Sequence, residues 1–303
     1  MNVKPAVQAD QRWWVRHALP LLTLGTTLLA MSPIFVRLSE VGPVATAVNR
    51  MLLPLPIFFV WLWLKPEQRL PLATPAGRRD LLYVALAGAF FAGDLIVWHW
   101  SILLTSVANA TVLANLSPVW VVIGAWLMFK EQFSRLFIAG LVLASLGVMV
   151  LMGESLVVSS ENFTGDGLGF VAAWFYAGYL LTVSRVRQRV STAATMAWGG
   201  LAASIILYAI AWPWEHDIWP ETARGWMVAF GLAGVTQVFG QMLIALSLAH
   251  VSAGFGSMVL LLQPAVAAVI AWFLFSEPLS VWQAGGGVAI LAGLYLARRG
   301  KRT

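Results

Sequence analysis

The 303-residue sequence has no cysteine, four histidines, and 13 acidic residues against 19 lysines and arginines. Without cysteine there can be no disulfide, thiolate metal site or thiol nucleophile. The histidines, at positions 17, 99, 216 and 250, are scattered without metal-ligand spacing, so no metal is expected. "GDGLG" at 165–169 follows no strand and is not a dinucleotide loop, and no cofactor is implied. Charged residues make up 11% of the chain, where a soluble domain carries ~25%. That is too little charge to clothe a water-facing surface.

What remains is 60% apolar, with a mean hydropathy of +0.80 and 16 tryptophans. Runs of roughly 20 apolar residues recur from end to end, each long enough to cross a ~30 Å hydrocarbon layer as a helix. The expected spans are 18–38, 44–64, 81–103, 106–129, 134–152, 166–186, 193–213, 225–248, 251–275 and 280–297. The chain therefore reads as an all-α polytopic membrane protein of ten helices, because lipid tolerates neither open sheet edges nor irregular backbone. Connections are too short for a separate catalytic domain. The segments are a basic arm at 1–17, a first repeat at 18–152, a loop at 153–165, a second repeat at 166–297 and a tail at 298–303.

The net charge of +6 suggests nucleic acid until the charges are placed. With the amino terminus inside, 16 of the 19 basic residues fall in inner segments, and Arg37, Arg50 and Arg224 are the exceptions. Glu154, Glu161 and Asp166 cluster in an outer loop free of basic residues. This is the positive-inside pattern with both termini cytoplasmic, in a bacterial inner membrane. The expected partners are a small-molecule substrate and the bilayer, not nucleic acid. Oligomeric state is left open, a monomer included.

Sliding the chain against itself by 146 residues lays 105–150 over 251–296 with eleven identities in 46 ungapped positions. Leu116 falls on Leu262, Pro118 on Pro264, Trp126 on Trp272, Glu131 on Glu277, Ser134 on Ser280, Gly140 on Gly286 and Gly147 on Gly293. Five helices per repeat is an odd number, so the second copy enters the bilayer from the opposite side. Inverted repeats of this kind build the alternating gates of many secondary transporters.

The doubled pattern "TSVANATVLANLSPVW…E" with its following glycines, and "GPVATAVNR" with Arg50, resemble the EamA-type carriers of the drug/metabolite transporter superfamily. Within that family the YddG-like amino-acid exporters are the nearest guide. The resemblance implies ten helices and export of small metabolites. One departure is "DLIVWHWS" at 94–101, where many relatives are blandly aliphatic, so the substrate does not carry over.

At 1.5 Å per residue, Asp94, Asn115, Gln237 and Gln263 lie roughly 13–18 Å deep, near the midplane of the third, fourth, eighth and ninth spans. Pro118 and Pro264 sit beside them as kinks or gates, and a helical proline leaves a carbonyl four residues earlier without its donor, here those of Ala114 and Leu260. An acidic group at this depth costs ~2.5–3.5 kcal/mol and faces a partner or a cavity. Asp94 is either a structural partner of Arg50 or part of a substrate pathway, and both readings stand. Trp98 and Ser101 share the Asp94 face, and His99, on another face, reads as a bundle histidine. Phe91, Trp98, Trp174, Tyr176 and Tyr179 offer walls for an apolar side chain. Gly285–Ala289–Gly293 and Ala139–Leu143–Gly147 read as close helix contacts.

A membrane enzyme needs a nucleophile–base pair or carboxylate dyad, which Asp94 and His99 on different faces do not supply, and a channel needs a continuous polar stripe. The expectation is a non-enzymatic carrier exporting amino acids by alternating access through a midplane cavity. Asp94, Trp98, Asn115, Tyr176, Tyr179, Gln237 and Gln263 are its expected substrate contacts. The alternative is efflux of lipophilic cationic drugs, which needs Asp94 and the aromatic walls but not the amides.

Overall fold

The computed structural model describes residues 5–153, 160–215, 217–275 and 280–300. Glu154, His216 and Glu277, named above, lie outside the described residues, as do three of the inner basic residues, Lys4, Lys301 and Arg302. Among those described, every regular element is helical and there is no strand. Among the described residues, nine helical stretches are long and apolar enough to cross a bilayer: Trp13–Arg37, Pro43–Leu64, Pro75–Leu104, Asn109–Phe129, Arg135–Met152, Phe163–Val186, Thr192–Trp214, Ala223–Ser247 and Ala253–Ile270. A further 19-residue helix, Val281–Arg299, closes the order.

Several of these stretches are interrupted. The first is α1 (Pro5–Leu29) and α2 (Ser32–Arg37), and the second is α3 (Pro43–Leu52) and α4 (Leu55–Leu64). α5 (Pro75–Leu104) is continuous, and α6 (Val107–Ala114) and α7 (Ser117–Phe129) form the broken fourth. α8 (Arg135–Met152), α9 (Phe163–Val186) and α10 (Thr192–Trp214) are continuous. The eighth runs from α11 (Ala223–Gly231) through a π-helical stretch, Leu232–Gln241, into α12 (Met242–Ser247). α13 (Ala253–Val259) and α14 (Leu262–Phe275) form the broken ninth, and α15 (Val281–Arg299) is the last.

Side-chain caps start many of the helices. Thr74, Ser106, Ser134, Ser191, Thr222 and Ser280 each accept a backbone N–H from the third residue beyond, and Ser280 with Gln283 forms a full capping box. Ser134 and Ser280 are equivalent residues of the repeat. The cap at Thr74 starts the third membrane helix six residues before the expected Leu81. Prolines set the breaks: Pro33 and Pro118 each stand in the first turn of the piece that follows, where a missing N–H is harmless. The breaks at 115–116 and 260–261 coincide under the 146-residue shift to within one residue.

The breaks tighten rather than open. Asn115 N and Leu116 N donate to Thr111 O and Leu113 O, and the Leu260 carbonyl accepts the Gln263 amide at 3.0 Å. The expected unbonded carbonyl at Leu260 is therefore not found: a three-residue bond replaces the four-residue bond that Pro264 forbids.

α8 and α15 meet along glycines. A Cβ added at Gly140 would stand 2.4 Å from the Gly293 carbonyl oxygen, and one at Gly286 would stand 2.6 Å from that of Gly147. The expected stripe is thus shifted by one residue at two places. Gly286, not Gly285, and Gly140, not Ala139, face the neighbour; Gly285 looks into open space.

The two ends of the bundle differ. Ser134 Oγ donates to Gly300 O, so α7 finishes at the end where α15 also finishes. There the α13 residues are all buried and pack on α7. Beyond the break, Leu262, Gln263 and 265–268 are only half-buried. Spans four and nine are thus sealed together at this end and parted toward the other. At the far end, the loop before α3 and the loop before α11 hold each other. The Glu215 carboxylate accepts Val44 N at 2.9 Å and Ala45 N at 2.6 Å. Glu40 accepts Thr222 N at 3.2 Å and Thr222 Oγ1 at 2.9 Å, and Asn49 Nδ2 donates to Ile218 O at 2.8 Å. Each carboxylate sits at a helix N-terminus, where amide hydrogens and the helix dipole favour negative charge.

Candidate functional site

Where spans four and nine part, they leave a cavity of about 120 Å³. On this measure a single water needs roughly 10–15 Å³, so the space holds several waters or the polar end of a small solute. Its wall comes from seven of the long stretches and mixes three kinds of group. Asp94 and Arg50 carry charge, Asn115, Gln241 and Gln263 carry amides, and Phe91, Trp98 and Tyr176 supply aromatic surface. Ser32, Thr111, Ser117 and Pro118 complete the polar and kinked parts.

Asp94 is half-buried and opens to the cavity. Among the described residues its carboxylate has neither hydrogen bond nor ion pair. Arg50 is 6% exposed, and its guanidinium goes elsewhere. Nη1 donates to Ser32 Oγ at 3.1 Å, Nε donates to Gln237 Oε1 at 3.3 Å, and the guanidinium carbon lies 5.4 Å from the Phe91 ring centroid. The structural alternative, an Asp94–Arg50 bridge, is not made in this conformation: both charges line one cavity and neither satisfies the other.

The aromatic wall is layered. Phe91 stacks on Tyr179 at 4.7 Å, and Tyr179 stacks on Tyr176 at 5.9 Å. Tyr176 reaches the cavity, while Tyr179 lies behind it, accepting a hydrogen bond from Gln241 Nε2 at 2.9 Å. The Tyr176 hydroxyl and Gln241 Oε1 are buried without a hydrogen-bond partner. Trp174 is not part of the wall. It is 63% exposed and packs edge-on against Trp120, so it projects from the bundle as a lipid-facing residue would.

The structure therefore brings Asp94, Trp98, Asn115, Tyr176 and Gln263 to one cavity with Arg50 and Pro118. It leaves Tyr179 and Gln237 one layer behind and Pro264 outside the wall. Tyr179 and Gln237 instead border a second void of about 10 Å³, enough for one water. His99 is buried away from the cavity, with Nδ1 on Leu95 O at 2.5 Å and Nε2 without a partner. Ser101 is buried too, donating to Gly165 O at 2.7 Å. Among the described residues no three His, Asp or Glu side chains are grouped to hold a metal.

Sequence reasoning passed over Ser32, Pro33, Thr111 and Gln241, all of which line the cavity. Two signals were available. "SP" occurs at 32–33 as at 117–118, both in otherwise apolar spans, and both mark breaks. Gln241 follows Gln237 by one helical turn.

Comparison with known proteins agrees with this architecture. A solved crystal structure of a protein shares the fold, with a TM-score of 0.80 at 15% identity, covering 94% of this chain and 99% of that one. An uncharacterized transporter of Archaeoglobus fulgidus is 25% identical over 91% of this chain and 95% of its own length. The pseudopaline exporter CntI of Pseudomonas aeruginosa is also 25% identical, over 74% of this chain and 78% of that protein. Protein PagO of Salmonella typhimurium is 26% identical over 64% and 62% of the two chains. With a bacterial exporter among its relatives and nine membrane-length helices among the described residues, the chain is a multi-pass inner-membrane protein. The model of the EamA-like transporter family matches twice in tandem, over residues 17–153 and 163–299, and the chain belongs to that family.

Proposed function

We propose that this protein exports small zwitterionic metabolites, amino acids foremost, by alternating access. The observation that carries the reading is the presence in one cavity wall of Asp94 and Arg50, of opposite charge and unpaired with each other. A zwitterion supplies both missing partners, its ammonium for Asp94 and its carboxylate for Arg50. Asn115, Gln241 and Gln263 add neutral donors and acceptors, and Phe91, Trp98 and Tyr176 receive an apolar or aromatic side chain. Tyr179 and Gln237 back the wall, Pro118 and Pro264 mark where spans four and nine bend, and His99 belongs to the surrounding packing.

The topology in this reading has ten spans, with α15 the tenth, and both termini in the cytoplasm. Two inverted five-helix repeats occupy 18–152 and 166–297. The basic residues of the inner loops support that orientation. It follows that the seal between α13 and α7 is cytoplasmic and the cavity faces outward. One chain provides the whole wall, so a monomer suffices. Export as the direction is supported by the relative named as the pseudopaline exporter. A second reading, efflux of lipophilic cations, draws on Asp94 and the aromatic wall. Arg50, buried in the same wall, repels a cation and favours the zwitterion.

The test is flux in proteoliposomes loaded with a panel of radiolabelled amino acids and cationic dyes. Saturable efflux with counterflow of amino acids is expected. Dye efflux without amino-acid flux refutes the reading in favour of the second one.

A further inference from the structure

We propose that Gln237, which does not touch the cavity, sets the preference for carboxylate-bearing solutes by aiming Arg50 without neutralising it. This rests on the zwitterion reading above and adds a positioning residue to it. A guanidinium has five N–H donors in a rigid planar fork and stays protonated in proteins. Two are committed here, one to Ser32 Oγ and one to Gln237 Oε1. Phe91 covers one side of the group. Ser32 and Gln237 come from the first and eighth spans, so Arg50 is held from both halves of the chain.

The chemistry of the second anchor is the point. An amide oxygen fixes the fork by a hydrogen bond and leaves the full positive charge in place. A carboxylate at the same position would fix it as well and cancel the charge. With a neutral anchor, Arg50 keeps three donors and its charge for the cavity, and a carboxylate is the group that matches a guanidinium in two-pronged geometry. Asp94 then decides whether the solute also carries an ammonium. Arg50 admits the acid end, Asp94 the basic end, and Gln237 keeps the first function alive.

Gln237→Glu is nearly isosteric and converts the anchor from neutral to charged. The experiment measures binding of three probes to the detergent-solubilised full-length protein by calorimetry: L-phenylalanine, 3-phenylpropanoate and 2-phenylethylamine. In Gln237→Glu we expect affinity for the two carboxylate probes to fall by at least about tenfold, with affinity for the amine held or raised. Equal weakening of all three probes means a structural role and overturns the proposal, as does an unchanged ratio of zwitterion to amine. If wild type binds the amine and neither carboxylate probe, the zwitterion reading itself has failed. If it binds all three and the variant shifts no ratio, only the role of Gln237 has failed. Gln237→Met removes the anchoring oxygen without adding charge, and serves if Gln237→Glu does not fold. It should weaken both carboxylate probes and spare the amine, and a uniform loss there overturns the proposal equally.

Discussion

Replacing Asp94 with asparagine keeps the side-chain shape and removes one negative charge, so its effects on binding and folding can be worked separately. In the free protein the carboxylate has no hydrogen bond or ion pair among the described residues, and half-buried it faces the cavity. Folding therefore loses no partner. An acidic group at membrane depth costs ~2.5–3.5 kcal/mol, and part of that is relieved by the neutral amide. Thermal stability should stay level or rise. For an ammonium-bearing solute the sign reverses. A hydrogen bond to a charged group contributes ~1.5–3 kcal/mol and a neutral one ~0.5–1.5, a difference that centres on ~1.25 kcal/mol, or about eightfold. Amino-acid flux in proteoliposomes should thus fall by roughly tenfold while folded yield and melting temperature hold. Normal transport by the variant would place the pathway elsewhere. A lower melting temperature together with lost transport would mean that Asp94 holds the bundle together, most simply by pairing with Arg50 in another conformation.

The remaining expectations can be checked alongside. Gly140→Leu forces a side chain into the Gly293 backbone, where even a Cβ would stand at 2.4 Å, and should abolish folded yield in fluorescence-detected size exclusion; Gly285→Leu, facing open space, should not. Glu215→Ala removes the acceptor of two N–H groups at the start of α3 and should lower stability by about 1–2 kcal/mol, read as an earlier thermal transition. Because the chain has no cysteine, a single Cys at Thr111 should react with an impermeant thiol reagent from outside, and one at Met258, fully buried under the α13–α7 seal, should not; labelling at Thr111 from the inside only reverses the assigned orientation. Trp98→Ala should impair transport of large apolar amino acids, whereas Trp174→Ala, on the exposed surface, should leave it unchanged.

Much of the architecture was legible because lipid makes strong demands on sequence. A span must be an apolar run of sufficient length, and a repeat leaves its spacing in the prolines and glycines, so the positions of α6–α8 and α13–α15 followed from the 146-residue shift. Grouping along the spans was legible in part: of Asp94, Asn115, Gln237 and Gln263, placed at one level by counting, all but Gln237 line one cavity. Direction around a helix was less so. Trp174 and Tyr176 stand two residues apart on α9, yet one projects outward and the other lines the cavity. Hydropathy treats lipid and bundle interior alike, so it cannot separate them. The glycine contacts slipped by one residue for the same reason, since a helix rich in small residues offers adjacent stripes and only the neighbour selects between them. Arg50 posed a third difficulty. Its depth suggested Asp94 as a partner, but its anchors, Ser32 and Gln237, lie 18 and 187 residues away in sequence, and no local pattern links them.

The two carboxylate clasps at the far end of the bundle bear on how such a protein moves. Glu215 grips the start of α3, the helix that carries Arg50, and Glu40 grips the start of α11, which runs on into the stretch that carries Gln237. The guanidinium and its neutral anchor therefore hang from one common rim. If the proposed cycle rocks spans four and nine open and shut, that rim would stay together as a single jaw, and the length between Arg50 and Gln237 would be kept. Recognition of the acid end of a solute would then be equally sharp on both sides of the membrane.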